Sequence, residues 1–311
     1  MSASEDHTLR VWRLTDGACL RTLTGHTDAV TAVVDVGSGR VASGGDDGVL
    51  RVWDVLSGKQ LQQIPTGASL IFCIAALWRN RVATGHNYTG EIRLWSLQAG
   101  EPDAAGVLRG HDRTVVSLAV VGGGGCTGAQ RQQLASGSSD LSLRVWDVDA
   151  GTCTAVLRGH TQSVWCLADL GGGRLLSGSL DKSLRVWNPA TGACVAMVPN
   201  AHGESSILSA CALLDGPATG SGSGSVQRWK WDEGTNTLTA DGEALLSDGN
   251  GWVYSLATAQ KLRPDRELQL LAGCEYGTLR VLGSGPEGRG LLQHSVLAGH
   301  DGRVRAVTFT A

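Results

Sequence analysis

The feature of this sequence that most constrains its fold is an internal repeat about 42 residues long. Seven versions of one short motif, most of them Leu-Arg-Val-Trp or close to it, end at Trp12, Trp53, Trp95, Trp146, Trp187, Trp229 and Leu282. Successive versions lie 41, 42, 51, 41, 42 and 53 residues apart. A period of about 40 to 45 residues predicts a repeat fold in which each unit packs against its neighbours. The two longer intervals predict insertions in loops.

A second motif, Gly-His, precedes the first strand of several units. It occurs at Gly25-His26, Gly110-His111, Gly159-His160 and Gly299-His300, with Ala201-His202 as a variant. Each unit also contains four short apolar runs rich in β-branched residues, and Gly, Asp and Ser separate these runs. This composition is typical of strands and tight turns. The sequence therefore predicts an all-β protein with four strands per repeat.

Together these motifs resemble the WD-repeat family. The resemblance rests on Gly-His followed by Trp-Asp at Trp53-Asp54 and Trp146-Asp147, and more loosely on Trp187-Asn188, and it covers essentially the whole chain. It implies a seven-bladed β-propeller of four-stranded antiparallel blades around a channel, with only short sheet edges. We expect residues 1–311 to form one such domain, with one blade centred on each of the seven motif positions.

The ends of the sequence predict how the ring closes. Ser2, Asp6 and Trp12 occupy repeat positions, but no Gly-His precedes them, whereas Gly299-His300 and residues 303–310 supply the strand that this unit lacks. We therefore expect the C-terminal strand to pair with the N-terminal blade, which resists opening through loop-closure entropy. The second strand of this blade would contain little more than residues 1–3, so a missing upstream domain stays open as an alternative.

Histidine, serine and aspartate recur in a fixed order, which could be taken for a catalytic triad. A catalytic site needs one copy, however, and the complete set occurs four times. The family resemblance implies that each set, with its tryptophan, forms a structural hydrogen-bond network. The four sets are His26, Ser43, Asp47 and Trp53; His111, Ser136, Asp140 and Trp146; His160, Ser177, Asp181 and Trp187; and His300, Ser2, Asp6 and Trp12. We expect no catalytic residues and no enzymatic activity.

Three units lack the complete set. Thr89 and Ser223 occupy the aspartate position in two of them, and the seventh has Tyr276 there and Leu282 in place of tryptophan. We expect these three blades to depend on apolar packing alone and to unfold locally before the others.

Composition limits the partners. With 26 basic and 29 acidic residues the net charge is −3, so a broad positive field is absent and nucleic-acid binding is disfavoured. No apolar run approaches the ~18 residues of a membrane span, so we expect no membrane insertion. The histidines are spread along the repeats and the eight cysteines form no C-x-x-C pair, so we expect neither metal nor cofactor. We expect a cytoplasmic protein, with a nuclear location left open.

The family resemblance implies that partners bind the face carrying the Gly-His loops and the turns before the framework aspartates. We select the positions three and five residues after each histidine, and the position before each aspartate. By that alignment the face contains Phe72, Tyr88, Trp165, Leu180, Leu208, Trp252, Tyr254, Arg303 and Arg305. Aromatic residues and arginine dominate the energetics of interfaces. The alternative is that Phe72, Trp165 and Tyr254 only plug the mouth of the channel.

The leading hypothesis is a non-catalytic scaffold that binds proteins or peptides, as a monomeric propeller within a larger complex. One alternative is the substrate-recognition propeller of a ubiquitin ligase. Family members that dock onto cullin adaptors often carry Trp-Asp-x-Arg, but here Asp54-Val-Leu and Asp147-Val-Asp follow the tryptophans, which weighs against that role. Binding of RNA by a basic arc around Arg303 and Arg305, and binding of a small molecule in the channel, remain as less favoured alternatives.

Overall fold

The structure, a computed structural model, describes residues 1–67, 70–98, 104–122, 132–213, 216–244, 246, 251–258, 269–284 and 291–310. These residues form 28 strands in seven four-stranded antiparallel sheets, which we call blades 1 to 7. The prediction of an all-β, seven-bladed propeller is confirmed. Much of the two predicted insertions, residues 123–131 and 259–268, lies outside the described residues. The described part of the chain contains no helix that is apolar and long enough to span a bilayer.

The strands of the first four blades follow one another along the chain, except for the strand that closes blade 1. Blade 1 contains β1 (Ser2–Ser4), β2 (Leu9–Trp12), β3 (Cys19–Leu23) and the closing strand β28 (Val304–Val307). Blade 2 contains β4 (Val30–Gly37), β5 (Arg40–Gly45), β6 (Val49–Asp54) and β7 (Gln60–Pro65). Blade 3 contains β8 (Ile71–Leu77), β9 (Arg81–His86), β10 (Ile92–Ser96) and β11 (Ala104–Leu108). Blade 4 contains β12 (Val115–Val121), β13 (Gln133–Ser138), β14 (Ser142–Asp147) and β15 (Thr152–Arg158).

The last three blades repeat the same order. Blade 5 contains β16 (Val164–Gly171), β17 (Arg174–Ser179), β18 (Leu184–Asn188) and β19 (Ala193–Val198). Blade 6 contains β20 (Ile207–Leu213), β21 (Gly216–Ser221), β22 (Val226–Asp232) and β23 (Thr237–Ala240). Blade 7 contains β24 (Val253–Thr258), β25 (Gln269–Cys274), β26 (Thr278–Ser284) and β27 (Leu291–Ala298).

Blade 1 joins the two ends of the chain as the repeat pattern predicts. Strand β28 pairs antiparallel with β1, with Ser2 opposite Val307 and Ala3 opposite Ala306. The Met1 amine donates a hydrogen bond of 2.8 Å to the Thr308 carbonyl, and Thr308 N–H donates one of 3.0 Å to the Met1 carbonyl. The ring is therefore closed by a sheet whose inner strand comes from the far end of the sequence.

The apolar core is divided into clusters between neighbouring blades. Trp53 of blade 2 packs with Leu9 and Leu23 of blade 1, and Trp187 of blade 5 packs with residues of blade 4. The cluster at the closing joint combines Trp12 of blade 1 with Leu271 and Leu279 of blade 7. Each blade thus buries the face of its neighbour, and none is buried without the ring.

Close contact between blades requires a glycine in the second strand of most blades. A Cβ atom on Gly137 of β13 would lie 2.6 Å from Ser117 Oγ, and only 2.8 Å from Val164 Cγ1 of the next blade. Glycines at the same register in five other blades face the first strand of the following blade at similarly short distances, and they are Gly44, Gly85, Gly178, Gly220 and Gly273. The repeated Ser-Gly segment therefore serves blade-to-blade packing.

We expect Gly137→Ala to destabilise the protein by about 1 to 3 kcal/mol, because the added methyl group overpacks the joint between blades 4 and 5. Gly106→Ala is the control, since a Cβ there meets only Leu94 Cδ1 at an ordinary 3.6 Å. Denaturant unfolding of the two variants measures the difference. Equal stability of the two variants would show that the joint tolerates a side chain.

Candidate functional site at the channel mouth

Each blade presents one side chain at the mouth of the central channel, and a repeated β-bulge decides which residue it is. The pairing between the first two strands skips one residue, for example Trp165, which lies between the paired Val164 and Cys166. The skipped residues of the seven blades, starting from blade 1, are Arg305, Thr31, Phe72, Val116, Trp165, Leu208 and Tyr254. All seven line one cavity of about 240 Å³. A bulge re-aims the extra side chain of a strand, which explains this common orientation.

The structure brings five of the nine predicted face residues together in this cavity. Phe72 and Trp165 meet edge to face, with ring centroids 5.9 Å apart. The Arg305 guanidinium lies 4.9 Å from the centre of the Tyr254 ring, and Leu208 is buried in the wall. The aromatic rings narrow the mouth, as the plug alternative proposed, but they leave a cavity between them.

The remaining four predicted residues lie around the cavity. Tyr88 is 80% exposed and Trp252 is 46% exposed, and Trp252 packs on Tyr254 with centroids 5.7 Å apart. Leu180 is half-buried and Arg303 is exposed. Two of the seven bulge residues that line the cavity, Thr31 and Val116, were not among the predicted face residues. Both lie five residues after a framework histidine, so the same alignment could have found them.

The two arginines at the mouth are paired with carboxylates. Arg303 lies 3.6 Å from Glu5 and 3.4 Å from Glu275, joining blades 1 and 7. Arg305 lies 3.4 Å from the same Glu5 oxygen. Because these carboxylates offset both positive charges, the arc around Arg303 and Arg305 is poorly suited to bind phosphate groups.

Beneath this surface, the four predicted residue sets form four equivalent hydrogen-bond networks. In blade 4, Trp146 Nε1 donates to Ser136 Oγ at 2.8 Å, His111 Nε2 lies 2.7 Å from the same oxygen, and His111 Nδ1 lies 2.7 Å from Asp140. The matching contacts in blades 1, 2 and 5 all measure 2.7 to 2.9 Å. Each network ties the loop before a first strand to the second and third strands of the same blade.

Comparison with known proteins agrees with this geometry. The family model described as WD domain, G-beta repeat matches residues 17–54, 103–147 and 151–188. The chain contains WD repeats. The matched stretches include three of the four networks' tryptophans, Trp53, Trp146 and Trp187.

Individual relatives are distant and longer than this WD-repeat chain. Nuclear distribution protein PAC1 of Arthroderma benhamiae is 28% identical over 189 residues, which cover 56% of this chain and 32% of that protein. The ribosome biogenesis protein WDR12 homolog of Nematostella vectensis is 33% identical over 151 residues, covering 48% of this chain and 34% of that protein. The matched part therefore spans about a third of each relative.

Among solved structures, the structure of U3-55K is similar to this WD-repeat chain with a TM-score of 0.75 and 23% identity. The match covers 93% of this chain and 88% of that one. At this level of identity the likeness shows the propeller fold and nothing more specific.

Hydrogen-bond chemistry fixes the protonation of the WD-repeat histidines. A carboxylate can only accept, so the histidine Nδ1 carries the hydrogen, and a neutral ring then accepts the serine hydroxyl at Nε2. Burial lowers the pKa of His160 and of His300, although Asp181 and Asp6 act in the opposite direction. Burial works to raise the pKa of Asp181, but hydrogen bonds from Ser183, Thr161 and His160 lower it to about 2. In the pairs His160–Asp181 and His300–Asp6, a neutral histidine thus donates to a carboxylate.

The expectation that three blades depend on apolar packing alone is wrong for blades 3 and 6. In blade 6, His202 Nε2 lies 2.7 Å from Thr219 Oγ1, which also accepts Trp229 Nε1 at 2.7 Å, and Ser225 replaces the aspartate. In blade 3, Thr84 Oγ1 accepts Trp95 Nε1 at 2.8 Å and lies 2.8 Å from His86 Nε2. The threonine hydroxyl serves as the serine hydroxyl does, and in blade 3 the imidazole comes from the end of β9.

In its described residues, blade 7 differs from the other six blades at the positions that form the hydrogen-bond network. Ala272 takes the serine position and Leu282 the tryptophan position, and both are fully buried. Tyr276, at the aspartate position, is 71% exposed. The described part of this blade is held at these positions by apolar contacts.

We expect amide hydrogen exchange to be faster in β24 to β26 of blade 7 than in β16 to β18 of blade 5, by about tenfold or more. The buried network of blade 5 contributes hydrogen bonds worth about 0.5 to 1.5 kcal/mol each, and blade 7 has apolar groups at those positions. Exchange followed by mass spectrometry measures both sets in one experiment. Equal protection of the two blades would contradict the expectation.

The network of blade 6 makes folding stability depend on pH. With a hydroxyl as its Nδ1 partner, His202 has no carboxylate to favour its charged form, and burial lowers its pKa to about 4. In the unfolded chain His202 has a pKa near 6.5, so it binds a proton at a higher pH there than in the folded protein. The stability that neutral His202 contributes is therefore fully present above pH ~6.5 and is lost as the pH falls toward ~4. As the pH falls from 7 to 5, we expect the free energy of unfolding of His202→Gln to decrease by about 1 to 2 kcal/mol less than that of the wild type.

The measurement is denaturant unfolding of both proteins at each pH. Comparing how the free energy of unfolding changes with pH in the two proteins removes the part of the substitution's effect that does not depend on pH. Parallel curves for the two proteins would show that His202 titrates normally in the folded state.

Proposed function

We propose that this protein is a non-catalytic interaction platform that binds proteins or peptides at its channel mouth. The proposal is supported by a contrast between the residues that repeat in the blades, which form the buried networks, and those that vary, which line the cavity. The imidazoles of His26, His111, His160 and His300 have no exposed side-chain surface and are engaged in the networks. The residues that differ from blade to blade, such as Phe72, Trp165 and Tyr254, surround the cavity.

The chemistry of the mouth favours a macromolecular partner. Phe72, Trp165 and Tyr254 offer half-buried rings in the mouth, and Trp252, which packs on Tyr254, extends this aromatic surface outward. Aromatic anchors of this kind contribute most of the energy at protein interfaces. Proteins of the WD-repeat family are generally non-catalytic and bind other proteins. We propose that residues 1–311 act as one such domain, within a larger complex.

Two further aspects belong to this proposal. The pairing of Arg303 and Arg305 with Glu5 and Glu275 argues against RNA as the ligand of this face. For location we propose the cytoplasm or the nucleus. Relatives are called a nuclear distribution protein and a ribosome biogenesis protein, and such names support a nuclear site as well as a cytoplasmic one.

We expect the double substitution Trp165→Ala and Trp252→Ala to remove bound partners while leaving thermal stability nearly unchanged, because both side chains retain solvent contact at the face. Affinity purification followed by mass spectrometry compares the partners with those of the wild type. The control is Leu56→Ala with Met197→Ala, which removes two large apolar side chains, 82% and 50% exposed, at other sites. Unchanged recovery of partners by the tryptophan variant would refute the proposal.

A further inference from the structure

The walls of the channel mouth differ in chemistry around the ring. Blades 3 to 7 present apolar or aromatic side chains, from Phe72 round to Tyr254, whereas blade 2 presents Thr31. The Thr31 hydroxyl is engaged, since it donates to the Ile71 carbonyl at 2.5 Å and to the Gly44 carbonyl at 3.2 Å. The small side chain of Thr31 leaves room on the blade 2 side, between Phe72 and Arg305.

Two carboxylates, Asp28 and Asp46, lie on the blade 2 loops beside this opening. Asp46 N–H donates to the Ala29 carbonyl at 2.9 Å, which places its turn next to the start of β4, two residues before Thr31. Burial and the nearby charges of Asp28 and Glu5 raise the pKa of Asp46, although the Arg305 guanidinium acts in the opposite direction. Asp28 accepts its own loop amide from Ala29 and lies 3.9 Å from the half-exposed His7.

The arginines of the mouth offset these carboxylates only in part, since the pKa of Asp46 stays raised although Arg305 acts to lower it. Arg303 and Arg305 lie within 4 Å of Glu5 or Glu275, and no ion pair to Asp46 occurs within the described residues. Four carboxylates, Asp28, Asp46, Glu5 and Glu275, therefore face two guanidinium groups. The mouth combines an apolar cavity with an excess of negative charge on one side.

We propose that the channel mouth binds a basic peptide segment, in which a lysine or arginine adjoins an apolar residue. The apolar side chain packs against Phe72 and Trp165, and the cationic side chain lies over Thr31 toward Asp46 and Asp28. A cation there relieves the repulsion between the carboxylates, and its aliphatic stem packs along the Phe72 ring. This inference rests on the proposed function and adds the chemistry of the partner.

The probe is a random-peptide phage library panned on residues 1–311, followed by fluorescence anisotropy with a labelled synthetic copy of the most enriched peptide. We expect enriched peptides to carry Lys or Arg beside an apolar residue. Replacing that cation by Gln should weaken binding about tenfold, and added salt should weaken the parent peptide more than the Gln copy.

The test variant is Asp28→Asn with Asp46→Asn, which removes two charges and keeps an acceptor oxygen for the Ala29 amide. The control is Glu233→Gln with Glu243→Gln, which makes the same change in net charge at exposed residues of blade 6. We expect the aspartate variant to bind the peptide about tenfold more weakly than wild type and to lose its salt dependence, and the control to change by less than about twofold.

The outcomes separate this inference from the proposed function. Enrichment of acidic peptides, or peptide binding that Trp165→Ala weakens but the aspartate variant does not, overturns the basic specificity and leaves the binding face in place. Enriched peptides that bind equally to Trp165→Ala, the aspartate variant and wild type overturn both. Loss of binding in the aspartate variant and in Trp165→Ala, but not in the control, supports both.

Discussion

The packing of one blade against the next is the interaction on which the rest of this structure depends. A four-stranded sheet has two faces, and in this chain the apolar clusters that cover them take residues from adjacent blades. Burial of a blade is complete only when both neighbours are present, so the ring has to close. The pairing of β28 with β1 meets that requirement by joining the ends of the chain in one sheet.

The same constraint explains the chemistry of the repeat. Glycine is needed where the first strand of the next blade approaches, as at Gly137 against Val164. Tryptophan fills the space between blades, and its indole N–H has to find an acceptor because it is buried. The serine or threonine hydroxyl provides that acceptor in six blades. In five of them a histidine links the hydroxyl to the loop before the first strand. Residues that suggest a catalytic triad in the sequence therefore serve the stability of single blades.

A rigid, repeated frame also determines where variation can occur. The bulge at the start of each blade directs one side chain into the channel mouth, so seven positions, one from each blade, meet there. In this chain, one arc of those positions is aromatic and aliphatic, and the blade 1 and 2 side is charged or small. Arg305 of the closing strand and Arg303 just before it join this charged side through Glu5 and Glu275. Closure of the ring and the shape of the mouth thus share the same residues.

The sequence by itself determined the number of blades, their order and the closing strand, because the period and the fixed order of Gly-His, Ser, Asp and Trp reflect local strand and turn chemistry repeated seven times. It also selected most residues of the mouth, since they hold a fixed distance from the histidines. Only the tertiary structure decided that Thr84 and His86, or His202 and Thr219, complete a network without the expected aspartate, because hydrogen bonding depends on where atoms meet across strands. Likewise, the pairing of Arg303 with Glu275 joins residues of different blades. Distance along the chain carries no information on such contacts, and the closed ring creates them.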